Sequence, residues 1–196
     1  MGNRLSKIVT KTGDSGTTGI AGNVRLAKYH PRIETIGLID ELNSLIGIGI
    51  ADLQVKISTI PYDEATVSSL KKLSEEWAFI QHELFNLGGE LSMPGTELVH
   101  EKAVISLEEW LTAYNDELTP LKEFILPGGS QVVAKTHYIR AISRKVERAL
   151  WALNSNDPVN PHSLKFLNRL SDYFFVTART LAKLTDTQEI FWNHER

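Results

Sequence analysis

The chain has 196 residues, 42% hydrophobic and 23% charged, and its 21 Lys+Arg against 24 Asp+Glu leave a formal net charge of −3. That is the composition of one ordinary folded domain able to bury about 70% of its unfolded surface, and a pI near 6.1 leaves no basic excess for a dedicated nucleic-acid binder. With no cysteine in the chain, a disulfide scaffold, a thiolate zinc site, an iron–sulfur cluster and a cysteine nucleophile are all excluded.

Residues 1–30 read as an arm. Met1-Gly-Asn-Arg-Leu-Ser-Lys lacks the apolar stretch of a signal peptide, and no apolar run reaches the roughly 18 residues of a membrane span. No membrane is therefore expected, and the cytoplasm is the expected location. The same residues fit the Met-Gly-x-x-x-Ser myristoylation pattern, one short enough to arise by chance. Thr10-Lys-Thr-Gly-Asp-Ser-Gly-Thr-Thr-Gly-Ile-Ala-Gly22 is crowded with glycine and threonine, which predicts loop. Its backbone N–H groups, threonine hydroxyls and Lys11 can form an anion-binding concavity for phosphates; the alternative is a mobile tail. It is no Walker A loop, because Gly-x4-Gly-Lys-Ser/Thr does not occur.

Five segments with helical spacing follow. The first starts at Pro31, a favoured first-turn residue, and runs to about Val55 with Ile33, Ile36, Leu42, Leu45 and Ile46 apolar. One of its faces carries Gly37, Asp40, Ser44 and Gly47, where small residues permit close approach of another helix or subunit. The second starts near the capping Asp63 and ends at Gly88-Gly89. The third covers about 101–118. The fourth follows Pro127-Gly-Gly-Ser130, whose serine can cap, and runs to about Asn154; the fifth runs from Asn160-Pro161 to about Leu184. Short breaks at Pro61, Pro94-Gly95, Pro120 and Asp157-Pro158 suit antiparallel neighbours. The expectation is an all-α, single-domain protein over 1–196: a glycine-rich N-terminal loop in the arm, a bundle over 31–185 and a tail over 186–196.

Polar residues on two helices invite chemistry. Arg140, Arg144, Glu147 and Arg148 share one face of the fourth helix. They are a solvated stripe with an internal Glu–Arg pair or, following Phe124-Ile-Leu-Pro-Gly-Gly129, the wall of an anion site. Asn168, Asp172, Phe175 and Arg179 share a face of the fifth helix. There the arginines of the fourth helix are the expected partners, in a salt-bridge ladder or in a polar pocket. His30, His82, His100, His137, His162 and His194 are scattered. A di-iron bundle needs two Glu-x-x-His helices, and only Glu97-Leu-Val-His100 fits, in a predicted loop.

In order, Thr10-Lys-Thr-Gly-Asp-Ser-Gly-Thr-Thr, Ile39-Asp-Glu-Leu-Asn-Ser44, Phe124-Ile-Leu-Pro-Gly-Gly129, Arg140-x3-Arg-Lys-Val-Glu-Arg148 and Leu167-Asn-Arg-Leu-Ser-Asp172 resemble the PduO-type ATP:cob(I)alamin adenosyltransferases. The resemblance spans nearly the whole chain, from Lys7 to Arg179. It implies a five-helix bundle of ferritin-like arrangement, assembled as a homotrimer with active sites between subunits. It also implies transfer of the 5′-deoxyadenosyl group of ATP to cobalt, with Mg²⁺ accompanying the nucleotide and cob(I)alamin as co-substrate. Carried over by position, Thr10, Lys11, Thr12, Gly13, Thr18, Gly19 and Lys28 hold ATP from the arm. Arg144, Lys145, Val146, Glu147, Arg148 and Asn168 complete that site from a neighbouring subunit. Asp40 pairs with Arg140 across the interface, and Phe124 sits under the corrin. Lys145 stands where the family often has a second arginine; it keeps the charge and loses the bidentate fork. With no flavin or nicotinamide motif, electrons would come from a separate cob(II)alamin reductase. An adenosylcobalamin-dependent enzyme is a possible acceptor of the product. A non-catalytic carrier of nucleotide or corrinoid, and a metal-storage or oxidase bundle, are the rival readings.

Overall fold

The computed structural model describes residues 9–194; the Met1–Ser6 pattern and Lys7 lie outside the described residues. A two-stranded antiparallel hairpin, β1 (Thr17–Gly19) and β2 (Arg25–Ala27), precedes five helices: α1 (Pro31–Thr59), α2 (Glu64–Ser92), α3 (Glu101–Asp116), α4 (Gln131–Asn154) and α5 (Pro161–Leu184). Each strand is three residues long, too short to show alternation, which is why the arm reads as plain loop in the sequence. Between them Gly22 and Asn23 take left-handed φ values of 76° and 59°, a region open to glycine and tolerated by asparagine.

Local chemistry sets the helix ends. His30 Nδ1 accepts from Arg32 N, Asp63 Oδ1 from Thr66 N and Asn160 Oδ1 from His162 N, each satisfying an orphan first-turn donor. Ser130 does not act as expected, for its Oγ is buried without a partner and caps nothing. Helix α1 overruns the predicted end by four residues and stops at Thr59, because Ile60 precedes Pro61 and a residue before proline avoids helical backbone. Likewise α2 passes through Gly88-Gly89 and stops just before Met93-Pro94. At Gly89 an added Cβ would stand 3.1 Å from Leu98 Cδ1, so the glycine serves close approach of the returning loop rather than helix termination.

Helix α1 packs on α2 and α4, while α5 packs on α4 and α3 and also touches α2. Trp77, Phe166, Tyr173 and Phe174 are fully buried at the centre, with Trp77 edge-on to Phe174 at 5.5 Å between ring centroids. Opposite the indole, α1 offers Gly49, where an added Cβ would lie 2.6 Å from Trp77 Cζ3. Gly49→Ala should therefore destabilise the fold by about 1–3 kcal/mol through overpacking, read as a lowered melting temperature; an unchanged melt would contradict this packing. On the outer side, Gly37, Asp40, Glu41, Ser44 and Ile48 form one stripe of α1 left uncovered by the other described residues.

Candidate functional site

The loop between α3 and α4 turns back over the middle of α4 and α5 and encloses a cavity of about 520 Å³. Phe124, Arg140, Arg144, Ser171, Asp172 and Phe175 line it. Phe124 is 76% exposed, so its ring stands open at the cavity mouth. Its loop has no regular structure, yet it is held. Trp192 N donates to Phe124 O at 2.7 Å, Leu126 N donates to Ile190 O at 2.8 Å, and Ile125 and Phe191 form an antiparallel bridge. The segment read as a tail from 186 onward is thus pinned through residues 190–192, and its Trp192 ring lies 6.3 Å from that of Phe124.

On α4, the Arg140 guanidinium lies over the Phe175 ring at 6.0 Å, and its Nε is buried without a hydrogen-bond partner. Burial lowers its affinity for the proton from the usual arginine range, the like charge of Arg144 adds to this, and Asp172 opposes it. One turn earlier, His137 is 4% exposed; burial, then the Arg140 charge, pushes its imidazole below the ordinary value of 6.5, so it is neutral at pH 7. Arg144 and Arg148 are exposed and, among the described residues, have no hydrogen bond or ion pair. The internal Glu–Arg pair of the solvated-stripe reading does not form. Glu147 instead accepts from Asn168 Nδ2 at 2.9 Å, joining α4 to α5, and Asn168 Oδ1 accepts from Arg169 at 2.6 Å. Arg144 on the cavity wall and Arg148 one turn further along α4 are thus free of close ion pairs among the described residues, which suits an anion site even with Asp172 on the same wall.

Other positions in the predicted set separate. Val146 is fully buried in the core, so its side chain packs and has no surface to offer a nucleotide: the periodicity that sets Arg144 and Arg148 outward turns the residue between them inward. Lys145 pairs with Glu41 of α1 at 3.0 Å. Asp40, next to it on the uncovered stripe, is exposed and makes no ion pair among the described residues, with Arg140 or otherwise. Arg179, placed by spacing with Asn168 and Asp172, is buried elsewhere, donating to Glu189 Oε1 at 3.1 Å and to Thr119 O at 2.9 Å.

The arm forms a second basic site. Lys11 takes a left-handed φ of 60°, the Thr10 and Thr12 hydroxyls share a hydrogen bond of 2.9 Å, and Gly16 N donates to Gly13 O at 3.1 Å. A Cβ on Gly13 would come within 3.3 Å of both Lys28 Nζ and Thr17 O, so bare backbone there admits the lysine head. Lys11 and Lys28 lack acidic partners among the described residues. Thr18 and Gly19 extend the same surface along β1. Arg25, which the sequence did not single out, organises this loop, donating to Thr12 O at 2.7 Å, Thr17 O at 3.1 Å and Thr17 Oγ1 at 2.9 Å. Its only signal was a long cation opposite a Gly-Thr run, on a strand too short to recognise.

No hydrogen bond or ion pair among the described residues links the arm to Arg144, Glu147, Arg148 or Asn168. The far side of the arm, through Ile20, Val24 and Leu26, faces Arg32, Met93 and Pro94 at one end of the bundle.

Comparison with known proteins adds independent findings. The family profile described as cobalamin adenosyltransferase matches residues 8–181. The chain is 43% identical to a cobalamin adenosyltransferase of Cupriavidus metallidurans over 196 residues, 100% of this chain and 99% of that protein. It is 40% identical to a corrinoid adenosyltransferase of Bacillus subtilis, covering 89% of this chain and 86% of that one. A variant PduO-type ATP:corrinoid adenosyltransferase from Lactobacillus reuteri, solved with cobalamin and ATP, superposes with a TM-score of 0.81 at 35% identity, covering 96% of this chain and all (100%) of that one.

Proposed function

Because the chain belongs to the cobalamin adenosyltransferase family, we infer that it is a transferase that moves the adenosyl group of ATP to the cobalt of cobalamin. The observation that carries the reading is the cavity that joins an exposed aromatic ring, Phe124, to two arginines, Arg140 and Arg144, that make no ion pair among the described residues although Asp172 lies on the same wall. A corrin is a broad apolar disc bearing a metal, and a triphosphate is a polyanion; this wall offers one surface for each.

The chemistry asks little covalent work of the protein. Cob(I)alamin carries an electron pair on cobalt and attacks C5′ of ATP. The Co–C bond forms as the C5′–O5′ bond breaks; the pair in that bond leaves with triphosphate, and cobalt rises from Co(I) to Co(III). No general base or protein nucleophile is needed. What the chain must supply is alignment of cobalt, C5′ and O5′, and positive charge where the leaving oxygens gain negative charge. Arg144 and Arg148 on α4 and Lys11 and Lys28 on the arm suit that second task. Mg²⁺ would enter with the nucleotide. Such an ion keeps phosphate oxygens and waters and takes at most one or two carboxylates from the protein.

The two halves would form one site if they came from different copies of the chain, since no hydrogen bond or ion pair joins them within one copy among the described residues. The uncovered α1 stripe, the unpaired Asp40 and the partnerless Arg140 Nε favour a homotrimer in which Asp40 of one copy meets Arg140 of the next. Asp40→Asn should then lower turnover about tenfold through loss of a charge-assisted hydrogen bond while leaving the melting temperature of an isolated subunit unchanged. Unaltered turnover would remove that contact from the site. The reductant would come from a separate cob(II)alamin reductase, the product would serve an adenosylcobalamin-dependent enzyme, and the setting would be cytoplasmic; among the described residues no helix is long and apolar enough to cross a membrane. Incubation with ATP, Mg²⁺ and chemically reduced cobalamin tests the activity itself. Adenosylcobalamin and triphosphate in equal amounts are expected, and binding without either product would refute catalysis.

A further inference from the structure

Arg179 is 6% exposed, and the acid it meets, Glu189, lies five residues beyond the end of α5. Its guanidinium grips two separate pieces of chain at once: Nε donates to Glu189 Oε1 at 3.1 Å and Nη2 donates to Thr119 O at 2.9 Å. Thr119 begins the loop that carries Phe124, and Glu189 begins the segment that pairs with that loop through the Ile125–Phe191 bridge. Trp192 then closes the arrangement, its N–H on the carbonyl of Phe124 and its ring beside the phenyl. The loop that carries Phe124 and the segment that pairs with it are therefore both tied to α5 by one buried side chain, to which the exposed Lys183 adds only a contact with Glu117 O at the start of the loop, 2.8 Å. An exposed ring on an irregular loop would otherwise sample many positions, each at a low energetic cost.

We propose that the Arg179–Glu189 pair is a positioning latch, setting the place of Phe124 at the cavity mouth without itself touching substrate. The proposal rests on the reading of Phe124 as the ring that occupies the lower face of cobalt. If that ring displaces the axial nitrogen of cob(II)alamin, the latch sets how much of the bound Co(II) is four-coordinate. It should leave the later displacement on ATP, which starts from Co(I), almost untouched.

The test uses the full-length protein with ATP and cob(II)alamin, read by electron paramagnetic resonance, where nitrogen hyperfine splitting marks the axial ligand. Glu189→Ala should reduce the four-coordinate fraction and the turnover from Co(II) by about tenfold, and alter turnover from pre-reduced Co(I) by less than about twofold. Glu189→Gln, whose amide oxygen still accepts from Arg179, should recover most of the loss. In a Phe124→Ala background, Glu189→Ala should add nothing further, an outcome that a general loosening of the fold would not give. A wild-type spectrum for Glu189→Ala beside a defective Phe124→Ala would overturn the latch alone. Unperturbed Co(II) behaviour in Phe124→Ala itself would overturn the latch together with the reading of Phe124.

Discussion

Arg144→Ala should lower turnover from pre-reduced cob(I)alamin by about two orders of magnitude, the ~3 kcal/mol typical of deleting one donor aimed at developing negative charge. The structure gives the physical reason. Arg144 stands at the cavity wall, exposed and unpaired among the described residues, so its positive charge is not spent on a structural carboxylate. The like charge of Arg140 nearby makes an incoming anion the group that relieves both. Ground-state ATP already carries charge on its phosphates, so part of the loss should fall in KM. The share in kcat measures what is gained only as the C5′–O5′ bond breaks. Lys145→Ala should cost far less, because that ammonium is already paired with Glu41. Wild-type turnover for Arg144→Ala would remove the residue from the mechanism.

Phe124→Ala should separate two starting points. From cob(II)alamin with a reductant, turnover should fall by at least about a hundredfold. From chemically prepared cob(I)alamin it should fall by less than about tenfold. An axial ligand raises the cobalt orbital that accepts the electron, and an apolar ring in its place eases the reduction; once Co(I) exists, that contribution is over. At 76% exposure the ring is left largely uncovered by the described residues, as a ring that is to lie under a corrin must be. Equal losses from both starting points would contradict the axial-ligand account and leave Phe124 as a plain contact surface.

Much of this was legible in the residues because helices advertise themselves. The apolar spacing located all five, and Asp63 and Asn160 marked two of their starts by the capping chemistry now visible. What escaped depends on long-range pairing. The β1–β2 hairpin, the bridge from Ile125 to Phe191 and the grip of Arg25 on Thr12 and Thr17 join short irregular pieces that carry no periodicity. Arg179 shows a different limit. Helical spacing placed it on the face of Asp172, but spacing says nothing of what packs across that face, and here Thr119 and Glu189 do. The Val146 side chain turns into the core for a related reason, since a run of motif residues includes the inward turn of the helix as well as the outward one. The division of the candidate site between the arm of one copy and α4 of another cannot be read from helical spacing; the family resemblance implied it, and the cations left unpaired in two separate places among the described residues support it.

That division is the central claim, and subunit mixing tests it directly. Lys11→Ala and Arg144→Ala proteins, each expected to lose most of its activity because a cation is removed from one half of the site, are to be denatured, mixed in equal amounts and refolded together. If every site joins the arm of one copy to α4 of another in a closed ring, about a quarter of the sites regain both wild-type halves, and activity should rise to about that fraction of the wild-type value. Mixed assemblies, verified by mass, that stay as inactive as their parents would contradict a site shared between copies.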